Sequence, residues 1–357
     1  MINFYKNKKI LITGNTGFKG SWLTFALLEM GAKVIGYSNN FVSNPNLFKI
    51  LNLEKKINFI KGDVRDFKHL LFIFNKYQPE FVFHLAAQSL VIESYNDPFK
   101  TFSSNVCGSY NLLECCRLSP SIKTLIYVTS DKCYDPKIFR KKGYKEEDIL
   151  GGEDPYSSSK VAAENIFRSY YKSFFLNNIG AASVRSGNVI GGGDWSKNRL
   201  IPDCVRAIVL KKKLLLRNPN FVRPWQHVLE PIFGYLLLNM KLYFNNKKYS
   251  GSWNFGPSQY HFLSTNFIAS HFMKKFNYKS KIIKQKKLLK KFKIKETKYL
   301  TINSKKSIKK LGWKHILNSL DAIKLTSDWY KEYYKKRNVE NITKEHVRFF
   351  LRNYSFK

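Results

Sequence analysis

Short apolar runs alternate with stretches of helical spacing through the first half of the chain. The runs have the length of strands and lie at residues 9–13, 33–36, 58–61, 81–85, 125–129 and 181–185. Between them, apolar residues recur at helical spacing at residues 21–30, 67–76, 104–117 and 157–176. Strands that alternate with helices of this length predict right-handed βαβ units. The pattern therefore predicts an α/β fold with a doubly wound parallel sheet that is covered on both faces.

The pattern changes after about residue 188. A glycine-rich loop is predicted at 191–195, a helix at 202–213, and amphipathic helices over roughly the last fifty residues. We expect a sheet domain and a smaller, partly discontinuous lobe that binds substrate. The predicted bounds are 1–187 with 226–256 returning for the sheet domain, 188–225 and 257–340 for the lobe, and 341–357 for a C-terminal tail. Ligands of such a sheet bind at the carboxyl ends of its strands, so functional side chains are expected there.

The chain is strongly basic, with 62 Lys and Arg against 25 Asp and Glu and a formal net charge of +37. Such a charge favours nucleic acid or an anionic membrane surface as a partner. The lysines are mostly scattered, however, and accompany abundant Asn, Ile, Phe and Tyr, whose codons are AT-rich. No nucleic-acid-binding module accompanies the charge. We therefore interpret the charge as a consequence of an AT-rich coding sequence and expect no nucleic-acid partner. The role of the basic cluster at 274–310 stays open.

The composition also predicts the compartment. The first residues lack the layout of a signal peptide, and no apolar run reaches the roughly 18–20 residues of a membrane span. The five cysteines form no CxxC motif, and the seven histidines show no metal-ligand spacing. We therefore expect a cytoplasmic protein without a metal site.

A glycine-rich turn follows the first predicted strand and precedes the first predicted helix. Its sequence, GNTGFKG, allows a tight turn and brings a helix N-terminus close to a pyrophosphate. The turn predicts a dinucleotide site that includes Gly14, Thr16, Gly17, Phe18, Lys19 and Gly20. The region about 20 residues further on, 36–40, has neither an acidic residue for a ribose nor an arginine for a 2′-phosphate, so these residues do not decide between NAD and NADP.

Asp63 and Val64 follow the third predicted strand. We expect them to contact the adenine, with the Asp63 carboxylate accepting from its amino group. The alternative is that Asp63 caps the helix that follows.

Hydroxyl, carboxylate and ammonium groups come together where the fifth predicted strand ends. The sequence there is TSDKCYD, residues 129–135, which makes Ser130, Asp131 and Lys132 candidate catalytic residues. Further on, Tyr156 and Lys160 are four residues apart and share one face of a predicted helix. An ammonium beside a phenol is expected to lower a phenol pKa that starts near about 10. The phenolate can then take a proton from an alcohol while a hydride leaves for a nicotinamide.

Taken together, five sequence blocks resemble the extended short-chain dehydrogenase/reductase family, from about residue 8 to residue 335. They are GNTGFKG, HLAAQS, TSD, YSSSK and RSGNVIGGGDW. The further blocks TGFKGSWL, TSDKCYD and GSWNFGP are similar to the nucleotide-sugar 4,6-dehydratases of that family that act on CDP-glucose. The resemblance implies a Rossmann-type sheet, NAD as the cofactor, a homodimer or higher homo-oligomer, and deoxysugar supply for a surface polysaccharide. Another nucleotide-sugar dehydratase or a 4-epimerase of the same fold is the alternative.

The resemblance also implies a role for each catalytic residue. Tyr156 with Lys160 would deprotonate the glucose 4-hydroxyl, and Ser130 would hydrogen-bond the same oxygen. Asp131 would protonate the departing 6-hydroxyl during elimination across C5–C6. Relatives carry a glutamate base at the position of Lys132. Three alternatives follow for Lys132. It is a lysine of lowered pKa that takes the C5 proton, a charge that stabilises the enolate while another group or water takes that proton, or a structural partner of Asp131.

Further residues are implied in the binding of cofactor and substrate. On the cofactor side they are Leu85, Ala86 and Ala87. On the substrate side they are Gln88, Ser89, Asn188, Arg199, Leu200, Arg217 and Arg223. The two last arginines suit a diphosphate, and the alternative for them is a solvated surface position. Asn105 is expected to brace the backbone of the site, and His227 either faces the nucleotide or packs in the core. Relatives carry a histidine near positions 295–297, where this chain has Lys-Glu-Thr.

Overall fold

The computed structural model describes residues 1–257, 262–279, 282–284 and 298–354. In this part of the chain the strands are, in order, β1 (Lys9–Thr13), β2 (Lys33–Ser38), β3 (Asn58–Lys61), β4 (Phe81–His84), β5 (Thr124–Val128), β6 (Gly180–Ser186), β7 (Val189–Ile190), β8 (Leu214–Leu216), β9 (Val222–Pro224), β10 (Gln226–His227), β11 (Gly251–Phe255), β12 (Phe262–Ser264) and β13 (Ile282–Lys284).

The helices alternate with the strands in the first half of the chain and dominate its C-terminal end. They are α1 (Ile2–Tyr5), α2 (Phe18–Glu29), α3 (Leu47–Ile50), α4 (Phe67–Tyr77), α5 (Val91–Asn96), α6 (Pro98–Phe102), α7 (Gly108–Leu118), α8 (Pro155–Tyr170), α9 (Leu200–Val209), α10 (Leu229–Phe244), α11 (Asn246–Tyr249), α12 (Thr265–Lys274), α13 (Ser319–Tyr334) and α14 (Val339–Asn353). Single π-turns precede α7 and follow α8, at Ser103–Cys107 and Tyr171–Phe175. None of the described helices combines the length and the apolar character that crossing a membrane requires.

Within the described residues, seven parallel strands form the central sheet in the order β11–β6–β5–β4–β1–β2–β3. The chain moves outward from β1 to β3 and then crosses back to the other side of β1. This reversal creates a crevice between β1 and β4 at the carboxyl ends of the strands. The predicted α/β, doubly wound parallel sheet is confirmed. All six predicted strands lie in it, and the seventh, β11, lies in the segment expected to return to it.

Local signals explain where several helices begin and end. Asp154 caps α8 by accepting from the amide of Ser157, and Pro155 occupies the first helical position, so the helix begins two residues earlier than predicted. The helix predicted at 202–213 ends at Val209 instead. The prediction is wrong at this end because Lys211 takes a left-handed conformation with a φ of +50°, and the amide of Lys212 turns back to the carbonyl of Ala207 at 2.9 Å.

The apolar core lies on both faces of the sheet. One cluster packs α2, α10, α13 and α14 against one face, and a second packs α4, α7 and α8 against the other. Residues set apart from sequence as a tail mostly belong to α14, whose Val347 and Phe350 are fully buried. The loop at 191–195 is held against α13, because a Cβ on Gly192 would lie 2.1 Å from the Trp329 ring.

Two buried histidines bring α14 and the core together. The His346 ring stacks on Trp22, with centroids 6.1 Å apart, and meets His227 edge-on at 5.8 Å. Neither His346 Nδ1 nor His227 Nε2 has a hydrogen-bond partner among the described residues. Burial lowers the pKa of His346 to about 4 and that of His227 well below its ordinary value. His227 therefore packs in the core rather than facing a nucleotide.

These buried histidines predict acid sensitivity. Unfolded His346 takes up a proton near about pH 6.5, whereas folded His346 stays neutral down to about pH 4. Above pH 6.5, His346 is therefore neutral in both states and does not lower the free energy of unfolding. Between pH 6.5 and 4.5 it should fall by about 2 kcal/mol through His346. Urea denaturation across this range should show a shallower pH dependence in His346→Phe. The same change at half-buried His271 serves as the control, and equal slopes in native protein and His346→Phe would contradict the assignment.

Candidate active site

The carboxyl ends of four neighbouring strands meet at one edge of the sheet. The register pairs Thr13 with His84 between β1 and β4, and Val128 with Val184 between β5 and β6. The segments that follow these strands are 14–20, 85–89, 129–132 and 187–188. The structure thus brings the glycine turn, the HLAAQS block, the TSDK segment and Asn188 to a single edge, as the sequence predicted for a doubly wound sheet.

The glycine turn forms a tight cradle at the start of α2. Gly14 has a φ of +75°, and a Cβ there would lie 2.7 Å from the amide nitrogen of Ala86. A Cβ on Gly20 would lie 2.2 Å from the carbonyl oxygen of Gly14. Gly17 is the N-cap residue of α2 and offers no side-chain cap to the first amides of the helix. Uncapped amides at a helix N-terminus suit a pyrophosphate, so this cradle fits a dinucleotide.

The remaining residues expected on the cofactor side line this cradle. The Thr16 hydroxyl donates to the carbonyl oxygen of Asn40 at 2.6 Å. The amide of Leu85 donates to the Thr13 carbonyl, and that of Ala86 to the Thr13 hydroxyl. Ala87 follows in the same half-buried loop. The HLAAQS block is therefore fastened to the end of β1.

Asp63 lies beyond β3 and is held by Arg65. The Arg65 guanidinium donates to it at 2.7 and 3.0 Å, and Asn39 donates to it at 3.0 Å. The Arg65 hydrogen bonds hold the pKa of Asp63 at about 2. Asp66, not Asp63, caps α4, so the capping alternative for Asp63 is wrong. Val64 is buried against Gly108.

Sequence reasoning did not single out Arg65. It stands outside the stretch where a 2′-phosphate partner is ordinarily sought, and only the fold brings it beside Asn39.

Ser130 links two of the candidate catalytic groups. Its hydroxyl donates to Asp131 Oδ1 at 3.0 Å, and it also acts on the phenol of Tyr156. Burial raises the pKa of Tyr156 to about 12, although Ser130 and the charge of Arg199 lower it. Burial likewise lowers the pKa of Lys160 to about 8, against the opposing charge of Glu164. The expected lowering of the phenol pKa is therefore not found, because burial of the phenol outweighs the groups that lower its pKa.

Asp131 is a buried carboxyl with one unoccupied oxygen. Its Oδ2 atom has no hydrogen-bond partner among the described residues and lies 3.2 Å from where a Cβ on Gly187 would stand. Burial raises the pKa of Asp131, while Lys132, Ser130, Arg223 and Lys19 oppose that rise. A carboxyl of raised pKa retains its proton longer and suits a general acid. Lys132 is half-buried, and its amide donates to the Ser130 hydroxyl at 3.2 Å.

Lys19 points inward from the first turn of α2. Its ammonium donates to the hydroxyl of Ser186 at 2.9 Å and to that of Tyr235 at 3.3 Å. Burial lowers the pKa of Lys19 to about 7, and the charges of Arg199 and Lys160 act in the same direction. Sequence reasoning missed Ser186 and Tyr235. Ser186 lies within the RSGNV block, but nothing in the local pattern of α10 marks Tyr235.

The side chain of Asn105 supports the loop that follows β4. Asn105 accepts from the amide of Gln88 at 2.7 Å and donates to its carbonyl and to the hydroxyl of Ser159, both at 2.9 Å. The side chain of Gln88 is turned to the hydroxyl of Thr101 at 2.9 Å. Asn105 thus connects this loop to α8, which supports the expectation that it braces the backbone.

The residues expected to bind substrate lie at the same edge of the sheet, in the loop after β4, after β6 and at the start of α9. Arg199, the residue before α9, donates to the Ser89 hydroxyl at 3.1 Å, and Leu200 follows it as the first residue of the helix. The carbonyl of Asn188 accepts from Gln226 at 3.2 Å. These contacts bring the loop after β4 and the start of α9 together.

The two arginines expected at a diphosphate differ in burial. Arg223 is 6% exposed, donates to the carbonyl oxygens of Val222 and Lys298 and lowers the pKa of Asp131 by its charge. The alternative of a solvated surface position is therefore wrong for Arg223. Arg217 is half-buried and donates to the Asn198 carbonyl at 3.5 Å.

Part of the basic cluster falls outside the described residues, namely 280–281 and 285–297, and with it the Lys-Glu-Thr departure at 295–297. Across the ranges that the structure does describe, no three His, Cys, Asp or Glu side chains are grouped as metal ligands would be.

The chain is similar to known nucleotide-sugar dehydratases. The CDP-glucose 4,6-dehydratase of Salmonella typhimurium is 46% identical over 272 residues, which are 74% of this chain and 76% of that protein. The dTDP-D-glucose 4,6-dehydratase of Dictyostelium discoideum is 32% identical over 223 residues, 59% of this chain and 50% of that protein.

Solved structures of low sequence identity share the fold. A dTDP-glucose 4,6-dehydratase from Bacillus anthracis in complex with NAD has a TM-score of 0.75 at 21% identity and covers 93% of this chain and 99% of that one. A UDP-glucose 4-epimerase from Thermotoga maritima with UDP-glucose has a TM-score of 0.77 at 21% identity and covers 91% and 99%.

The family described as GDP-mannose 4,6 dehydratase matches residues 11–326, most of the chain. Together with the Salmonella relative and the motifs at the strand ends, this match confirms the family predicted from sequence. The chain belongs to the GDP-mannose 4,6-dehydratase family of nucleotide-sugar dehydratases, within the extended short-chain dehydrogenases/reductases.

Proposed function

We propose that this protein dehydrates CDP-D-glucose to CDP-4-keto-6-deoxy-D-glucose with NAD as a bound cofactor that is regenerated in each turnover. One observation carries the proposal: a buried Ser130–Tyr156 pair stands beside a buried Asp131 whose Oδ2 is free to meet a ligand. An alcohol oxidation needs the first pair, and the loss of water needs the acid. The 46% identity to a CDP-glucose 4,6-dehydratase supports the choice of nucleotide.

The glycine cradle and the start of α2 would hold the pyrophosphate of NAD. Asp63 and Val64 would meet the adenine, and Lys160 would lie toward the nicotinamide half. When bound, NAD supplies the chemistry of accepting a hydride from C4 of the glucose and returning one to C6. The proton transfers and the binding of the sugar are assigned to side chains of the protein.

Tyr156 takes the proton of the glucose 4-hydroxyl, and Ser130 hydrogen-bonds the same oxygen. Because burial holds the pKa of Tyr156 at about 12, its deprotonation depends on nearby positive charge. Arg199 already provides such a charge, and the nicotinamide ring of NAD would add another. The ketone formed at C4 makes the C5 proton acidic, which prepares the sugar for elimination.

Asp131 protonates the 6-hydroxyl as the C6–O bond breaks, so that water leaves and a C5–C6 double bond forms. The neighbouring cations Lys132 and Arg223 make Asp131 a stronger acid. Lys132 either takes the C5 proton in its neutral form, or stabilises the enolate by its charge while another group or water takes that proton. A proton at C5 and the hydride at C6 complete the product.

We assign substrate binding to the residues around the start of α9, the loop after β4 and the segment after β6. Arg199, Arg217 and Arg223 suit the two phosphates of the substrate because a guanidinium donates in pairs to phosphate oxygens. Gln88, Ser89, Asn188 and Leu200 would line the sugar. The five cysteines are unpaired, as is usual in a reducing compartment, which supports the proposal that the protein acts in the cytoplasm.

A homodimer is the proposed assembly, since apolar side chains are exposed on α6, on α7 and in the turn after α8. Phe99 is 82% exposed, Phe174 47% and Tyr110 44%. Exposed apolar patches of this kind commonly mark protein interfaces.

The substrate proposal is tested by incubating purified protein separately with CDP-, dTDP-, GDP- and UDP-glucose, with and without added NAD. Mass spectrometry should show the loss of one water from CDP-glucose, and alkaline absorbance should show a 4-keto-6-deoxy sugar. Dehydration of another nucleotide sugar alone would keep the mechanism and overturn the nucleotide. Epimerised sugar without loss of water would replace the dehydratase with the 4-epimerase.

Asp131→Asn should separate the oxidation from the loss of water. An amide cannot donate the acid proton, so we expect dehydration to fall by roughly 10²-fold or more while C4 oxidation continues. Absorbance at 340 nm after substrate addition should report the retained hydride transfer. Asp135→Asn, four residues further on and half-buried, is the matched control and should dehydrate normally. Full dehydration by Asp131→Asn would remove Asp131 from the mechanism.

The double variant Tyr110→Ser with Phe174→Ser should weaken the dimer, because it removes apolar area from the exposed face. Light scattering should then show mass approaching the 41.9 kDa of a single chain. Phe139→Ser, which removes a 64% exposed phenyl ring elsewhere, is the control and should leave the mass unchanged. A native protein that is already monomeric would refute the assembly.

A further inference from the structure

The ammonium of Lys19 is held inside the protein by two neutral groups. It donates to Ser186 and Tyr235, and the Tyr235 hydroxyl in turn donates to Ser186 at 2.9 Å. The ammonium also lies 5.5 Å from the centre of the Tyr235 ring. Tyr235 is fully buried on α10, so these contacts fix the position of the charge rather than leave it to solvent.

This arrangement is costly for a group that only packs. Within the described residues Lys19 makes no ion pair, and hydroxyl groups do not neutralise an ammonium removed from water. An apolar side chain on α2 would cover the same ring without that cost. A buried charge held in this way indicates a role for the charge itself.

The charged and titratable groups around Lys19 are Asp131, Lys160, Arg199 and Tyr235. Asp131 favours its ammonium form, whereas Lys160 and Arg199 disfavour it. Burial, together with these two cations, lowers the pKa of Lys19 to about 7, so its charge changes near neutrality. Burial raises the pKa of Tyr235 above its usual range, which leaves that phenol neutral throughout.

Lys19 connects the two ends of the cofactor site. Its backbone belongs to the first turn of α2, where the pyrophosphate of a dinucleotide would bind. Its ammonium reaches the end of β6, near Asp131 and Lys160, where the oxidation of the sugar would take place. The nicotinamide half of a bound dinucleotide would span this interval, since Lys160 and Tyr156 are the residues that would lie beside its ring.

We propose that Lys19 is a charged group of the nicotinamide site that favours NADH over NAD⁺ on the enzyme. The nicotinamide ring is cationic in NAD⁺ and neutral in NADH, so a nearby ammonium disfavours only the oxidised form. The bias helps Tyr156 and Ser130 to oxidise C4 and helps the enzyme to retain the hydride while water leaves. The inference rests on the proposed function, because it requires NAD as the cofactor.

The ratio of bound NADH to bound NAD⁺ measures this bias directly. The pyrophosphate carries the same charge in both forms, so its contacts cancel from the ratio. Native protein and variants are equilibrated with an excess of a known NAD⁺ and NADH mixture, and free cofactor is removed. The bound cofactors are then released and quantified. No turnover is required.

Lys19→Met should lower the preference for NADH by roughly tenfold, as expected for the loss of one charge at several ångström in a partly desolvated site. In the native protein the preference should fall as the pH rises through about 7, because Lys19 loses its proton there. Lys19→Arg keeps the charge and should retain the preference as the pH rises through about 7. Lys160 also titrates, with a pKa of about 8, so any fall that persists in Lys19→Arg belongs to Lys160.

Each outcome separates the inference from the proposed function. If Lys19→Met weakens both cofactor forms equally and leaves the ratio unchanged, Lys19 binds the pyrophosphate and the inference is wrong. If native protein retains neither form, NAD is not the cofactor and the proposed function itself fails. Should Lys19→Met not fold, the pH series on native protein and Lys19→Arg still decides, since equal and flat ratios in both would overturn the inference.

Discussion

A buried ion pair between Glu164 and Arg185 joins the catalytic helix to the sheet. The guanidinium donates to both carboxylate oxygens at 2.8 Å, and both side chains are 3% exposed. Burial opposes the ionisation of Glu164, but Arg185 outweighs it and holds the pKa of Glu164 below its usual range. Such a pair costs desolvation and is tolerated only when its geometry and remaining hydrogen bonds are nearly complete. Here Tyr134 and Ser252 take up further donors of Arg185.

The candidate active site is built around this pair. Thr129, the residue before Ser130, donates its hydroxyl to Glu164, and Ser183 on β6 donates to the same carboxylate at 3.0 Å. Lys160 lies one helical turn before Glu164 and feels its charge. The strand end that carries Ser130 and Asp131 is thereby set against the helix that carries Tyr156 and Lys160. Apolar residues in place of the pair could preserve stability, but they would not impose this alignment.

Several positively charged side chains act on the titratable groups of the site. Lys19, Lys132 and Arg223 all act on Asp131, and Arg199 acts on Tyr156. Positive charges placed in this way suit a substrate with two phosphates and a mechanism in which a phenol and an enolate become negative. The net charge of +37 is spread along the chain, but at this edge of the sheet its placement has a chemical consequence.

The sequence by itself determined the α/β pattern, six of the seven central strands, the glycine turn and the family, because these features depend on local periodicity and on residues close together in the chain. The tertiary structure alone decided the pairing of β11 with β6, the burial of Arg223 and the inward course of Lys19 toward Tyr235. It also decided the pKa of Tyr156, which local spacing predicted in the wrong direction. The reason is that desolvation depends on which distant elements cover a side chain, and Lys19 and Tyr235 are 216 residues apart in a chain whose local pattern does not encode their contact.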